Sequence, residues 1–158
     1  MEKTINAPAD VVWRWLGPEF ANIDTWSSFV KTSIPLTAHD APATVAPAAP
    51  VAGRETTTKA TLREFITAYS DAERRLTFDA AGLPPIVRRG RNVQSVRDNG
   101  DGTSTLVFEI DFDFRGPFKV LGPIMRRRMA TSLGGVQDDL RSHAEAQVAR
   151  SGGEVGRG

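Results

Sequence analysis

The residue whose type and position best suit acid–base chemistry is Glu64. Leu62 and Ile66 share its parity, so in a β-strand the carboxylate stands on the same face as two apolar side chains. A carboxylate in an apolar cavity has a raised pKa, which suits a general acid or base. In the alternative interpretation, Phe65 and Tyr69 face the core and Glu64 faces water.

Two arginines on the predicted strand at 86–97, Arg89 and Arg91, suit anion recognition. They share a parity with Val93, and an arginine on the inner face binds a carboxylate or enolate through two parallel hydrogen bonds. In the alternative interpretation, the arginines lie on the surface and pair with Glu109 or Asp111 across the sheet.

The composition excludes several other kinds of site. The chain of 158 residues has no cysteine, and its two histidines, His39 and His143, lie far apart in sequence. It contains neither a glycine-rich phosphate loop nor a serine in a nucleophile elbow. We therefore expect no metal site and no cofactor.

Charge and hydropathy limit the partners. Twenty Lys and Arg stand against nineteen Asp and Glu, and a net charge of +1 provides no strong field for nucleic acid. The sequence has no apolar run long enough for stable membrane insertion, and no signal peptide is recognised at its start. We expect a cytoplasmic protein, monomeric or homodimeric, that binds no nucleic acid.

The elements that position these residues are predicted from periodicity and turn chemistry. The clearest strand is 103–115, where apolar and acidic residues alternate. Residues 117–149 carry apolar residues every three or four positions, which predicts an amphipathic helix begun or kinked at Pro123. In chain order we predict a strand at 1–6, helices at 7–16 and 19–25, strands at 28–34, 53–60, 61–69, 74–80, 86–97 and 103–115, and the helix at 117–149.

Residues 36–52 interrupt this pattern because they are mostly Ala, Pro and Thr. Such a segment packs little, so we predict a mobile loop, either a tolerated insertion or a lid over a pocket. The glycine-rich end at 151–158 predicts a disordered tail after a single domain at 1–150.

This order is typical of an α+β fold, with an antiparallel sheet of six to seven strands curved around the final helix. A single helix cannot fill the middle of a strongly bent sheet. We therefore expect an internal apolar cavity of about 300–1,000 Å³.

Several short motifs resemble the helix-grip superfamily (SRPBCC or START-like), which includes START lipid-transfer domains and birch-pollen-type allergens. The motifs are Ala-Pro-Ala-Asp-Val-Val-Trp at 7–13 with Trp26, Leu-Arg-Glu-Phe-Ile at 62–66 with Tyr69-Ser70-Asp71 and Arg75-Leu76, Gly-Asp-Gly-Thr at 100–103, and Arg-Arg-Arg-Met at 126–129. The resemblance covers about residues 1–148 and is closest to bacterial polyketide cyclase/dehydrase-like proteins.

The resemblance implies a helix-grip fold that binds a hydrophobic small molecule in its cavity. It also implies that Glu64 faces inward and that the junction after the second helix lines the pocket. The candidate ligand-binding residues are Trp26, Phe29, Ile66, Arg89, Val93, Phe108, Ile110, Phe112, Met125 and Met129. Ordinary core packing is the alternative for the apolar members of this set.

Two hypotheses about function follow. In the first, a polyketide cyclase/dehydrase-like enzyme folds a flexible substrate into a reactive conformer, and Glu64 and Arg91 assist proton transfer. In the second, the protein is a non-catalytic carrier or binder of lipid-like small molecules.

Overall fold

The structure, a computed structural model, describes residues 1–42, 44–117 and 122–155. In the last range it does not describe the side chains of residues 125, 126, 128–130, 132 and 153–155. The elements are β1 (Glu2–Ile5), α1 (Ala9–Leu16), a 3₁₀ helix (Phe20–Thr25), β2 (Thr32–Leu36), β3 (Gly53–Thr57), β4 (Thr61–Ser70), β5 (Arg75–Ala81), β6 (Val87–Asp98), β7 (Ser104–Phe114) and α2 (Gly122–Val155).

The seven strands form one curved antiparallel sheet in the order β1-β7-β6-β5-β4-β3-β2. Strands β1 and β2 follow one another in sequence but lie at opposite edges, because β1 pairs with β7 and β2 pairs with β3. Helix α1 and the 3₁₀ helix make the connection between these two edges. The predicted α+β, helix-grip architecture is confirmed.

Alternation of apolar and polar residues sets the two faces of the sheet. In β7, Leu106, Phe108 and Phe112 are buried, whereas Glu109 and Asp111 between them are exposed. The buried face packs against α1 and α2, so the sheet has the one dry face and one wet face that this pattern predicts.

The structure describes helix α2 from Gly122, and residues 118–121 of the helix predicted at 117–149 lie outside the described residues. The helix is described to Val155, and a disordered tail from residue 151 stays a prediction. Residues 156–158 lie outside the described residues.

The strand predicted at 28–34 is displaced to Thr32–Leu36. Ser28 is held away from the sheet, because its backbone N–H and its hydroxyl both donate to Asp139 of α2, at 2.6 and 2.8 Å. The segment that leads into β2 therefore lies against α2.

The Ala/Pro-rich segment after β2 contacts the neighbouring part of the sheet. The Ala46 N–H donates to the Ile66 carbonyl at 2.8 Å, and the Ile66 N–H donates to the Ala52 carbonyl at 3.0 Å. Ala46, Ala49 and Val51 pack against the core. Mobility of this segment stays a prediction, and these contacts are the ones that motion would have to break.

Two buried apolar clusters lie on the inner face of the sheet. The larger one joins α1, the middle of the sheet and Leu140 and Ala144 of α2. The smaller one consists of Val87, Phe112 and Phe114 on β6 and β7. In the part of the chain that the structure describes, no helix is long and apolar enough to cross a membrane.

Candidate functional site

A cavity with two adjoining lobes lies between the inner face of the sheet and α2. The inner lobe measures about 130 Å³ and the outer lobe about 280 Å³. Both lobes are lined by Thr58, Leu62, Glu64, Phe78, Asn92 and Leu133. The inner lobe is also lined by Leu16, Ile23, Trp26, Phe29, Val30, Arg54, Thr56, Gln94, Phe108 and Val136. The outer lobe is also lined by Ala80, Leu83, Gly90, Arg91, Ile110 and Phe112.

Glu64 lies on the wall common to both lobes and forms a buried ion pair with Arg54 of the adjacent strand. Arg54 Nε donates to Glu64 Oε2 at 2.5 Å, and the two side chains are only 6% and 16% exposed. Arg54 Nη1 also donates to the Phe20 carbonyl at 2.7 Å. Its guanidinium carbon stands 3.9 Å from the centre of the Phe20 ring, a cation–π arrangement. Glu64 is therefore a paired carboxylate rather than an isolated one.

Sequence reasoning missed Arg54, although the sequence contains the signal. If the strands at 53–60 and 61–69 form a hairpin with a tight turn near Lys59, Arg54 stands directly opposite Glu64, and the structure has this register. Opposite charges at facing positions on the inner side of a sheet point to a buried pair. The prediction treated the two strands separately, so the pairing was not considered.

The register places Glu64 on the inner face. Its row across the sheet continues through Ala80, Gly90 and Phe112, which all line the outer lobe. The next row on the same face passes through Ile66, Phe78, Asn92 and Ile110.

The cavity brings together several residues that the sequence singled out. Trp26, Phe29 and Phe108 line its inner lobe, and Ile110 and Phe112 line its outer lobe. Ile66 is fully buried in the larger core cluster and lines neither lobe. The side chains of Met125 and Met129 lie outside the described residues.

The guanidinium groups of Arg89 and Arg91 belong to the outer face of the sheet. Arg91 borders the outer lobe but donates to both oxygens of Asp79, at 2.7 and 2.8 Å. On the neighbouring strands, Asp79 and Asp111 are paired with Arg91. These positions are one residue away from those aligned with Glu64, so their side chains belong to the opposite face of the sheet. Hydrogen bonds to the Asp79 carboxylate raise the pKa of Arg91. Arg89 is half-exposed and pairs with Asp111 at 3.1 Å.

Val93 shares this outer face, since its row contains Thr77 and Glu109, and it lines neither lobe. Arg89 therefore pairs with Asp111 as the alternative interpretation described, whereas Arg91 pairs with Asp79 and not with Glu109 or Asp111. The physical reason is a β-bulge between Val87 and Arg89. Its extra residue puts Arg89 on the face opposite to Val87, although the two residues share a parity in sequence.

Phe29 closes the inner lobe against α2. A Cβ atom at Gly135 would stand 2.4 Å from Phe29 Cζ, so the ring occupies the space that a side chain at this position would take. Gly135 therefore permits close approach of an aromatic ring, whereas a Cβ atom at Gly134 would meet nothing within 4 Å. Together with the Ser28–Asp139 hydrogen bonds, this contact holds the 27–31 segment against α2.

The described part of the Ala/Pro-rich segment makes no wall of this cavity. No residue of 37–52 that the structure describes lines either lobe. Among the described residues there is also no group of three or more His, Asp or Glu side chains that could hold a metal ion. Among the side chains that the structure describes, Glu64, Arg54 and neutral polar residues such as Asn92 are the groups in the cavity wall that could take part in chemistry.

Comparison with known proteins gives one family and one fold. The sequence profile described as polyketide cyclase / dehydrase and lipid transport matches residues 1–145. A search of curated protein sequences finds no match.

Solved structures share the fold at low sequence identity. A START superfamily protein from Mycobacterium smegmatis has a TM-score of 0.72 at 13% identity, over 93% of this chain and 96% of that chain. A Thalictrum norcoclaurine synthase point mutant in complex with a transition-state analogue has a TM-score of 0.70 at 11% identity, over 93% and 92%. The di-domain ARO/CYC BexL from the BE-7585A biosynthetic pathway has a TM-score of 0.69 at 18% identity, over 92% of this chain and 45% of that chain.

Proposed function

This chain belongs to the polyketide cyclase / dehydrase and lipid transport family, and from that premise we propose that it binds a hydrophobic or polyketide-like small molecule in the cavity under α2. The observation that carries the proposal is the two-lobed cavity, whose outer lobe of about 280 Å³ has walls of Leu, Ile and Phe side chains. Pockets for small molecules are typically about 300–1,000 Å³, a range that the two lobes together reach. Burial of apolar surface supplies the driving force.

Binding is tested with naphthalene, an apolar probe without hydrogen-bonding groups, by calorimetry and by its effect on Tm. We expect naphthalene to raise the Tm of the wild-type protein, because a ligand that binds only the folded state stabilises it. Ala80→Leu adds three carbons inside the outer lobe and lowers the affinity about tenfold. Ala81→Leu is the matched control, because Ala81 is the next residue of β5 and lies exposed on the opposite face.

Two results would contradict the proposal. One is a wild-type Tm that naphthalene leaves unchanged at saturation. The other is an equal loss of affinity in Ala80→Leu and Ala81→Leu, since the probe would then bind outside the cavity.

Catalysis of cyclisation and dehydration is the second candidate function, favoured by the position of Glu64. One carboxylate oxygen accepts from Arg54, while Oε1 has no hydrogen bond to a described residue and Glu64 lines both lobes. In an intramolecular aldol closure, Glu64 removes a proton next to a substrate carbonyl, and the resulting carbon attacks a second carbonyl. The same carboxyl group returns this proton to the alkoxide oxygen formed by the attack. The carboxylate then removes the second proton of the attacking carbon, the bond from the neighbouring carbon to the hydroxyl breaks, and the hydroxide takes up that proton and leaves as water. Arg91 takes no part because its guanidinium pairs with Asp79.

An aryl-terminated linear triketone distinguishes the enzyme hypothesis from the carrier hypothesis. Its ring closure and loss of water are followed by absorbance. For an enzyme, Glu64→Gln slows turnover roughly a hundredfold and leaves naphthalene affinity within about twofold. Glu55→Gln is the control, because Glu55 pairs with Arg63 in the row next to that of Glu64. If the triketone closes no faster with the wild-type protein than without it, the result contradicts the enzyme hypothesis and supports the carrier hypothesis.

A further inference from the structure

Helix α2 carries opposite charges in its two parts. Residues 122–133 contain three consecutive arginines at 126–128 and no Asp or Glu. Residues 134–155 contain four acidic residues and two basic ones, namely Asp138, Asp139, Glu145 and Glu154 against Arg141 and Arg150. The net charge of +1 for the whole chain therefore does not describe the first part of α2. Charge separated along a helix in this way orients a protein toward a surface of opposite sign.

The neighbouring end of the sheet adds positive charge to the first part of α2. A Cβ atom at Gly122 would stand 3.8 Å from the Phe114 ring, so the described start of α2 lies against the end of β7. Arg115 follows β7 directly and is exposed, and its backbone N–H donates to the Ile86 carbonyl at 2.9 Å. Arg115 and the exposed Arg127 therefore belong to the same end of the molecule.

The carboxylates near this end of β7 already have partners. Asp111 pairs with Arg89 at 3.1 Å, and Asp113 pairs with Arg88 at 3.6 Å. These two pairs neutralise each other across the outer face of the sheet. The charge of Arg115 comes in addition to them, as do the charges of the three arginines of α2.

An exposed apolar side chain stands among these cations. Ile124 is 60% exposed, more than any other large apolar side chain that the structure describes. It lies three residues before Arg127, so the two exposed side chains share one face of α2. A single exposed isoleucine is ordinary on a protein surface. Beside a basic cluster, it completes the combination found in interfacial helices, in which arginines meet lipid headgroups and an apolar side chain enters the acyl boundary.

We infer that this end of the molecule docks on a membrane surface of anionic phospholipids through Arg115, Pro117, Pro123, Ile124 and Arg127, here called the basic end. All five residues are exposed. The arginines bind headgroup phosphates, and Ile124 enters the boundary between headgroups and acyl chains. The inference goes beyond the proposed function, because none of the five residues lines either lobe of the cavity.

The exposed isoleucine favours a membrane over nucleic acid as the partner. Nucleic acid is bound by basic side chains at the phosphates and by aromatic side chains at the bases, and neither contact uses Ile124. The basic end also adjoins the outer lobe, which is lined by Leu133 of α2 and by Leu83 of the loop before β6. Docking therefore brings this lobe close to the bilayer.

Docking is tested by co-sedimentation of the full chain with two kinds of vesicle. One consists of phosphatidylcholine, and the other is an equal mixture of phosphatidylcholine and phosphatidylglycerol. We expect binding to the mixture to be at least about tenfold tighter, since each arginine near an anionic surface contributes about fivefold. This preference decreases between about 0.1 M and about 1 M salt, because the Debye length falls from about 10 Å to about 3 Å.

Two substitutions separate the contribution of charge from that of apolar contact. Arg127→Gln and Ile124→Ser each lower the affinity for the mixed vesicles about fivefold. Arg141→Gln is the matched control for charge, since it removes a partly exposed arginine from the second part of α2. Ile34→Ser is the control for apolar contact, since Ile34 is 57% exposed on β2. Both controls keep the affinity within about twofold, and all four variants keep the Tm of the wild type because the side chains lie at the surface.

Ala80→Leu distinguishes docking from the capture of a lipid inside the cavity. This substitution narrows the outer lobe, so we expect it to leave the affinity for mixed vesicles unchanged. If Ala80→Leu loses vesicle binding, a lipid taken into the cavity holds the protein on the vesicle. That result overturns the inference and leaves the proposed function standing.

Other results also overturn the inference. The first is equal binding of the wild-type protein to the two kinds of vesicle, or binding to neither. The second is a loss of affinity that is the same in Arg127→Gln and Arg141→Gln, or in Ile124→Ser and Ile34→Ser. The third is tighter binding to a duplex oligonucleotide than to the vesicles, unaltered by Ile124→Ser, which would identify nucleic acid as the partner. None of these results changes the binding of naphthalene, by which the proposed function is judged.

Discussion

Helix α2 covers the sheet along its length, but the space beneath it is filled at one end and hollow at the other. Leu140 and Ala144, in the second half of the helix, are fully buried in the larger core cluster. Leu133 and Val136, one to two turns earlier, are only half-buried and line the cavity. The apolar stripe of α2 is continuous in sequence through both regions.

The difference comes from α1. Trp15 of this helix contacts His143 and Gln147 in the second half of α2. Val12 and Trp13 belong to the same buried cluster as Leu140 and Ala144. Helix α1 ends at Leu16, whose side chain forms part of the inner-lobe wall. Beyond that point the 3₁₀ helix and Trp26 contribute the wall, and α2 faces the sheet without a second helix. The hollow therefore coincides with the end of α1, and small residues of the sheet, Ala80 and Gly90, also line its outer lobe.

The Arg54–Glu64 pair lies at the border of the two regions, and its removal is expected to have the largest effect. Arg54→Leu leaves a buried carboxylate without its partner and lowers the free energy of unfolding by about 3–5 kcal/mol. The double variant Arg54→Leu, Glu64→Leu recovers most of the loss, because no charge is left uncompensated. Urea denaturation measures both.

Arg91→Leu is the matched control for this prediction, because the Arg91–Asp79 pair is 39% and 31% exposed. An exposed pair contributes about 0–1 kcal/mol. If the two substitutions lower the free energy of unfolding by similar amounts, water reaches the Arg54–Glu64 pair. The pair would then belong to the hollow end of the molecule and not to its packed end.

Truncation of two leucines on α2 compares the regions directly. Leu140→Ala removes a fully buried side chain from the packed end and lowers the free energy of unfolding by about 2–5 kcal/mol. Leu133→Ala lowers it by about 1 kcal/mol or less, since it adds space to a cavity that already exists. Equal losses in urea denaturation would show that the cavity end is as well packed as the other.

The smallest expected effect concerns His143 at the packed end. Its ring makes an edge-on contact with Trp15, with 4.5 Å between ring centroids, and burial lowers its pKa, with a further contribution from the charge of Arg150. The unfolded chain therefore binds the proton more readily. The neutral His143 ring stabilises the folded protein above about pH 6.5. This contribution is lost as the pH falls from there through the pKa that His143 has in the folded protein.

We expect the free energy of unfolding to decrease between pH 7 and 5, with His143 contributing less than about 1 kcal/mol of that change. In His143→Gln this part of the slope disappears. His39→Gln, which removes an exposed imidazole, is the control. A slope that His143→Gln leaves unaltered would mean that the ring stays hydrated in the folded protein.

The fold was accessible from the sequence because its signals are local. The alternation in β7 and the three-to-four-residue spacing in α2 each identify an element without knowledge of the others. The resemblance read from the short motifs is confirmed by the profile match over residues 1–145. The edges of elements were less accessible, since Ser28 leaves the sheet only because of Asp139 far along the chain.

The site was less predictable because β-bulges change which side of a strand faces inward. The bulge between Ile66 and Ala68 allows Glu64 to face the cavity and Tyr69 to pack against the core on one strand. Both interpretations of β4 are thus partly realised. The bulge in β6 turns Arg89 and Arg91 outward, and nothing in the local sequence marks it.

The pairing of the first strand with the last has a consequence for biosynthesis. Glu2 pairs with Val107, so β1 can find its place only after about a hundred more residues have left the ribosome. At about 5–20 residues per second this delay is on the order of 5–20 s. During that interval the apolar faces of α1 and of the nascent hairpins lack their final cover, so this apolar surface stays exposed while synthesis continues.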